Sequence, residues 1–283
     1  MVTWRLAVPK GRIYDGVAAL LADSGLPLKA SSRSYRPVID GTTIEVKVLK
    51  PQNIPQLVAL GVYDAGFTGL DWVREHGAKV EELLDTGLDP VTLVAAVPEG
   101  VTEKDLKKRR ILAASEYPRL AEAFLKSRGF DFTLLRTYGA TEVFPPDDAD
   151  LIVDNCATGQ TLKANHLEVL AELFGSTTRL VASPKALKTP AKGQALRELT
   201  DVMRGVLDAR DRVLLEMNVE KDKLKGLVKM LPAMKSPTVQ PLHEGGYAVK
   251  IAARKKEVRA LLPKIRALGA TDILEYALRK VIP

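Results

Sequence analysis

The chain is poor in the residues that staple or metallate a fold. Its single cysteine, Cys156, excludes an intrachain disulfide. Its three histidines, His76, His166 and His243, are scattered and present no zinc-ligand spacing, so no metal site built from protein side chains is expected. Aromatic residues make up only 5% and nowhere interleave with a basic stripe, which argues against a nucleic-acid surface. No apolar run approaches the ~18 residues that span a bilayer, so no membrane partner is expected. The opening Met1–Lys10 is too briefly apolar for a signal peptide and runs straight into structured-looking sequence. A cytoplasmic protein is the simplest expectation.

What is present is an ordinary globular composition: 283 residues, 46% hydrophobic and 27% charged, enough for two domains or three small ones. The net charge of +7 fits a polyanionic partner, either nucleic acid or a phosphorylated small molecule. Basic runs such as 104–110 and 254–259 read as solvated helix faces.

Strands are expected at 4–8, 43–49 and 62–67, with helices after Arg12 and over 53–60, an alternation that argues for an α/β domain with a largely parallel sheet. Gly25 stops the first helix. A buried strand at 91–97 opens a second α/β unit with strands at 110–114, 132–136 and 149–154 and a helix over 120–129. A helix beginning near Leu162 and a strand at 178–182 complete it, and 184–193 reads as a polar, proline-containing connection. The expected layout is two lobes, residues 1–91 with 178–207 and residues 92–177, like that of periplasmic binding proteins. The last third gives a helix over 194–210, then strand 213–218, helix 220–231, strands 238–242 and 247–252 about Gly245-Gly246, helix 257–268 and strand 272–276. This β-α-β-β-α-β order over 211–283 is that of a ferredoxin-like domain.

The sharpest motif is the run from Ala149 to Leu162. A buried strand ends in a carboxylate, Asp154, and a loop of small and hydroxylated residues leads into a helix. Free N–H groups at a helix start attract anions. Gly159 lets backbone approach a phosphate, and Thr158 and Thr161 add hydroxyl donors. A carboxylate at the carboxyl end of a parallel strand lies where open α/β sheets bind ligands and suits sugar hydroxyls. The alternative is a capped helix after an ordinary strand.

Asp-x-x-x-Thr-Gly-x-Thr-Leu, as it stands at 154–162, resembles the phosphoribosyl-pyrophosphate loop of phosphoribosyltransferases. Type I enzymes carry two adjacent acids before the loop, and here the second position is Asn155. ATP phosphoribosyltransferases carry a single Asp, and further segments resemble theirs in order along the chain. These are Val8–Arg12, Asp64–Asp71, Arg110-Ile111 with Glu116-Tyr117-Pro118, Gly139–Val143, Lys163–Leu167, and Leu231-Pro232 with Lys235–Val239 and Pro241-Leu242.

The resemblance implies transfer of a phosphoribosyl group from phosphoribosyl pyrophosphate to ATP, the first step of histidine synthesis, with Mg²⁺ alongside the pyrophosphate. It implies that Thr158, Gly159, Gln160 and Thr161 hold the 5-phosphate, with Ala157 also part of the phosphoribosyl-pyrophosphate site, and that Asp154 and Glu142 engage the ribose hydroxyls. Lys10 and Arg12 would face polyphosphate or the leaving pyrophosphate. Gly11, Gly69, Asp71 and Tyr117 would line the ATP side, Tyr117 as an adenine or ribose contact. The C-terminal domain would place the chain with the long, histidine-inhibited form, a homo-oligomer from dimer to hexamer, with Asn218, Ser236 and Thr238 at the histidine site. Asn155 and Cys156 depart from the family's loop, where apolar or small residues are usual, and Asn218 stands near a position where long-form relatives often have an acid. The alternatives are a two-lobed solute-binding module, a catalytically silent regulatory paralogue and a type I phosphoribosyltransferase.

Overall fold

The computed structural model describes residues 2–29, 35–232, 234 and 236–282. Met1 and Lys235, both part of the sequence reading, lie outside them. The chain divides into two compact units, Met1–Ala22 with Leu26–Glu198, and Asp23–Gly25 with Leu199–Pro283. Among the described residues no helix is long and apolar enough to cross a membrane.

The first unit begins with β1 (Trp4–Pro9), α1 (Arg12–Asp23), β2 (Ile44–Leu49), α2 (Ile54–Ala59), β3 (Ala65–Gly69), α3 (Leu70–His76) and β4 (Glu81–Asp85). It continues through β5 (Val91–Pro98), α4 (Glu103–Leu106), β6 (Ile111–Ser115), α5 (Pro118–Ser127), β7 (Phe132–Arg136), β8 (Leu151–Cys156), α6 (Gln160–Ala164), β9 (Leu167–Ser176), β10 (Thr178–Ala182) and α7 (Pro184–Lys188). Two five-stranded sheets result, ordered β2-β1-β3-β10-β4 and β7-β6-β8-β5-β9. Each is a lobe with the same plan. Three neighbouring strands run parallel, and the fourth position is taken by an antiparallel strand that enters from the other lobe, β10 in the first and β5 in the second. The sheets are therefore mixed, not largely parallel.

Central strands are apolar on both faces because helices cover both. In β1 every residue except Arg5 is buried, and all five residues of β3 are. The two crossings between the lobes are bonded to one another: the Thr86 N–H and hydroxyl both donate to Thr178 O, at 3.1 and 2.7 Å, and Thr178 N–H donates to Leu88 O at 2.9 Å.

Several elements differ from the sequence expectation. The strand expected at 62–67 lies at Ala65–Gly69, and the one expected to end at Asp154 runs on to Cys156. α3, β4 and β9 lie outside the elements expected from the sequence. The connection expected at 184–193 is helical, because Pro184 and Pro190 each occupy the first helical position, where a missing N–H costs nothing.

The boundary between the units falls within α8 (Pro190–Arg210). The second unit continues with β11 (Arg212–Val219), α9 (Leu224–Met230), β12 (Thr238–Pro241), β13 (Tyr247–Arg254), α10 (Lys255–Ala267) and β14 (Thr271–Ala277). Its antiparallel sheet has the order β12-β13-β11-β14, the ferredoxin-like arrangement. In β11, Val213, Leu215, Met217 and Val219 are buried in a core with Leu227 of α9 and Val258, Leu261 and Ile265 of α10. The alternate residues Leu214, Glu216 and Asn218 point to the other, open face.

Candidate active site

The phosphate-loop segment forms one wall of a cavity of about 300 Å³ in the second lobe. β8 pairs with β5 through Val94↔Asp154, Leu93↔Asn155 and Thr92↔Cys156, so the strand delivers Asp154, partly buried, to the rim. The turn into α6 passes through Gly159 at φ +74°, a left-handed conformation that favours glycine. Gly159 supplies no capping side chain, and Thr158 Oγ1 lies 3.5 Å from the Gln160 N–H, too far for a strong bond. The start of α6 thus keeps N–H groups for an anion. With only five residues, the helix contributes little macrodipole, so any attraction for an anion there would come from the loop's own N–H and hydroxyl donors. Ala157, Thr158, Gly159 and Thr161 line the cavity together with Glu116, Glu142, Asp154, Asn155 and Cys156, while Gln160 does not.

This cavity is acidic. Burial raises the Asp154 carboxyl to about 6, and the Glu116 and Glu142 charges add to the rise against the Thr141 hydroxyl and the Asn155 N–H. Glu116 is likewise raised, by burial first and then by Glu142, with Lys50 and Arg136 opposing.

A second cavity, of about 180 Å³, lies between the lobes and is lined by Lys10, Arg12, Gln52, Gly69, Asp71, Trp72, Asp89, Tyr117 and Ser176 among others. Lys10 and Arg12 stand in the β1–α1 turn, which Gly11 closes at φ +80°. Gly11 does not line the cavity, and its part is to form the turn. Lys10 and Arg12 are both exposed, and Arg12 is paired with Asp89 at 3.2 Å.

The floor of this cavity is a hydrogen-bonded array. Asp71, at the start of α3, accepts from the Tyr117 hydroxyl and from the Ser176 hydroxyl, each at 2.6 Å, and its own N–H donates to Ser176 Oγ at 3.1 Å. Asn155 Nδ2 donates to the Tyr117 oxygen at 3.0 Å. Tyr117, expected to touch adenine or ribose, is fully buried, stacked on Trp72 with ring centroids 4.3 Å apart, and its hydroxyl is already engaged. Burial and the Asp71 charge push that hydroxyl's pKa upward, so it remains a neutral donor. Gly69 makes room for the array, since a Cβ there would collide with Asp71 Oδ1.

Glu116 and Asn155 belong to both cavities, which therefore adjoin. The structure brings Lys10, Arg12, Gly69, Asp71 and Tyr117 to one and Glu142, Asp154, Ala157, Thr158, Gly159 and Thr161 to the other. Sequence reasoning did not single out Glu116, Ser176 or Trp72 as site residues. Glu116 stood within the quoted Glu-Tyr-Pro segment, while Ser176 carried no local signal.

In the second unit, a cavity of about 770 Å³ is lined by Asn218, Glu220, Lys223, Glu244, Arg266 and Asp272 among others. Asn218 Nδ2 donates to Asp272 Oδ2 at 3.1 Å. Ser236 and Thr238 are exposed and do not line it. Thr238 pairs with Lys250, and Lys250 with Glu216, so Thr238 shares the open face with Asn218 but with β13 between them.

Known proteins share this chain's sequence and fold. The ATP phosphoribosyltransferase family model matches residues 50–205, and that of the HisG C-terminal domain matches residues 209–280. ATP phosphoribosyltransferases of Pelotomaculum thermopropionicum and Thermodesulfovibrio yellowstonii are 40% and 39% identical to it, each over 99% of this chain and over 99% and 98% of their own lengths. A chain of the solved ATP phosphoribosyl transferase (HisG:HisZ) complex from Thermotoga maritima matches 71% of this chain with 99% of its own, at 28% identity and a TM-score of 0.63.

Proposed function

We propose how the two adjoining cavities divide the work of this chain, which belongs to the ATP phosphoribosyltransferase family and joins ATP to phosphoribosyl pyrophosphate in the first step of histidine biosynthesis. The cavity at the end of β8 takes phosphoribosyl pyrophosphate. The N–H groups and hydroxyls of residues 157–161 hold its 5-phosphate, and Asp154 and Glu142 accept from the ribose hydroxyls. The cleft between the lobes takes ATP, with Lys10 and Arg12 toward polyphosphate and Gly69 and Asp71 shaping the wall. A ring nitrogen of adenine bonds to the anomeric carbon as the bond from that carbon to pyrophosphate breaks. The work of the protein is positioning and charge stabilisation. The observation that supports this most is that Glu116 and Asn155 wall both cavities, so reactants held in each meet across one boundary.

Mg²⁺ fits this site as a passenger of the pyrophosphate. Among the described residues no group of three or more His, Cys, Asp or Glu is placed to hold a metal. Mg²⁺ commonly binds through substrate phosphates with one or two carboxylates and water. Asp154, Glu116 and Glu142 offer carboxylates whose mutual repulsion a cation relieves. When bound, the ion neutralises charge on the departing pyrophosphate.

The second unit is read as the histidine sensor. Its cavity pairs carboxylates (Glu220, Glu244, Asp272) with cations (Lys223, Arg266), a complement to a zwitterionic amino acid. Ser236 and Thr238 would join Asn218 only when a second copy of the chain completes the site, in keeping with a homo-oligomer from dimer to hexamer. Leu274 and Tyr276, 50% and 44% exposed on the open face, suit such a contact. The enzyme is read as cytoplasmic, in keeping with substrates of this class.

The test is an assay with ATP, phosphoribosyl pyrophosphate, Mg²⁺ and a pyrophosphatase, following absorbance of the adenine product, for wild type and Asp154→Ala, with and without histidine. Product from wild type and none from the variant is expected, with inhibition by histidine. An inactive wild type whose melting temperature still responds to ATP or histidine would instead make this a silent regulatory relative.

A further inference from the structure

We propose that Asn155 is a positioning residue for the transfer, its side-chain amide tying the ribose-side carboxylate of Asp154 to the buried array formed by Tyr117, Asp71 and Ser176. The inference rests on the reading of Asp154 as the acceptor for ribose.

The hydrogen inventory fixes the array in one direction. A carboxylate only accepts, so the single hydrogen of the Tyr117 hydroxyl goes to Asp71 Oδ2 at 2.6 Å. The Tyr117 oxygen then accepts from Asn155 Nδ2 at 3.0 Å, and the same amide nitrogen lies 3.3 Å from Asp154 Oδ1. Both amide hydrogens are thereby used. Flipping the amide would turn its oxygen toward a carboxylate oxygen and toward a phenol oxygen with no hydrogen to spare. Asp154 Oδ1 also receives the Asn155 main-chain N–H at 2.7 Å, so one residue fixes the carboxylate from two sides.

The array joins parts of the chain far apart in sequence. Asp71 belongs to the first lobe, Tyr117 and Asn155 to the second, and Ser176 ends β9 just before the return crossing. Asp154 is thus oriented by a framework that reaches the ATP side. The groups facing Asp154 are the carboxylates of Glu116 and Glu142, the hydroxyls of Thr141 and Tyr117, and Asp71 behind Tyr117, while Lys50 and Arg136 offset Glu116. Asn155 is itself exposed and Asp154 only partly so, but among so many negative neighbours a donor to the ionised carboxylate favours its charged form. An apolar side chain at 155 keeps the bulk and removes both bonds.

Four variants of the full chain test this: Asn155→Leu, Asn155→Gln, Tyr117→Phe and the double Asn155→Leu/Tyr117→Phe. The readout is kcat/KM for each substrate as a function of pH, with melting temperature to verify folding. Asn155→Leu is expected to lower kcat/KM for phosphoribosyl pyrophosphate about tenfold, the worth of one net hydrogen bond. It should move the acid limb of that profile to higher pH and change KM for ATP much less. Asn155→Gln restores part of the loss. The double variant costs no more than Asn155→Leu alone, because both changes cut the same array. An active wild type beside an Asn155→Leu enzyme with unchanged kcat/KM and an unmoved acid limb overturns this inference alone, as does a double variant in which the two losses multiply. An inactive wild type overturns the assigned reaction, and this inference with it.

Discussion

Glu75 accepts the backbone N–H groups of Arg119 and Leu120, each at 3.0 Å, so a buried carboxylate of one lobe caps a helix of the other. The helix needs it. Tyr117, at the N-cap, makes no side-chain cap, and Pro118 at the first position has no N–H. Glu75 lies one turn after Asp71 on α3, so two carboxylates on one helix face hold the same stretch of the opposite lobe. Glu75→Ala leaves two part-buried donors without their partner. A loss of about 1–3 kcal/mol in unfolding free energy is expected, read from the denaturant midpoint. A midpoint equal to wild type would show that water or a rearranged turn replaces the cap.

Gly69 is needed for space, not for an unusual backbone: its φ of −70° suits any residue. A methyl group there would press on Asp71 Oδ1 and move the carboxylate away from Tyr117 and Ser176. Gly69→Ala should cost about 1–3 kcal/mol of stability by overpacking and should raise KM for ATP. Titration calorimetry with ATP checks the second part, and undiminished affinity would count against Asp71 as a wall of that cleft.

Most of this architecture is legible in sequence because central strands must be apolar and half-covered strands must alternate. Residues 91–97 and 213–218 show the two patterns plainly. α3 is not legible. It has only seven residues, and its buried side chains include Asp71 and Glu75, which satisfy themselves with partners more than forty positions away and so present no apolar stripe. β9 is masked by the helix signal ahead of it and by scattered charge from Glu168 and Glu172 on its exposed side. The same logic divides the site. The segment at 154–162 proposed to hold phosphate is continuous and can be found by its spacing, whereas the Asp71, Tyr117, Asn155 and Ser176 array exists only once both lobes are folded.

The acid response of the enzyme should follow Asp154. Its carboxyl is raised from an ordinary 3.8 to about 6, chiefly by burial. The folded chain thus holds this proton more tightly than the unfolded chain does. Stability from the group is complete below pH 3.8 and is lost as pH rises through about 6. Asp154→Asn removes the titration and should be more stable than wild type at pH 8 by about 1–3 kcal/mol, with no advantage at pH 4. Activity runs the other way: with Asp154 as the proposed ribose acceptor, wild-type kcat/KM should rise with pH through about 6 as it ionises, and the variant should lose it. Thermal melts at the two pH values decide the first claim, and an equal difference at both would refute it.

Asn218 offers a way to test the histidine site proposed for the second unit. Its amide donates to Asp272 Oδ2 at 3.1 Å, and the Thr271 hydroxyl donates to the same oxygen at 3.1 Å. Replacing Asn218 with aspartate exchanges a donor for a second carboxylate beside the first. Without ligand the two repel, and because the site is largely exposed the penalty should be small, lowering the melting temperature slightly. With histidine bound, its amino group can sit between them, and the repulsion becomes attraction. Asn218→Asp is therefore expected to be inhibited at lower histidine concentrations than wild type and to show a larger histidine-induced rise in melting temperature. Inhibition curves and melts on the same preparations separate the cases. If inhibition weakens while folding is intact, the amide itself contacts the ligand as an acceptor or through its shape. If neither measurement changes, histidine binds away from Asn218 and the cavity beside it has another use.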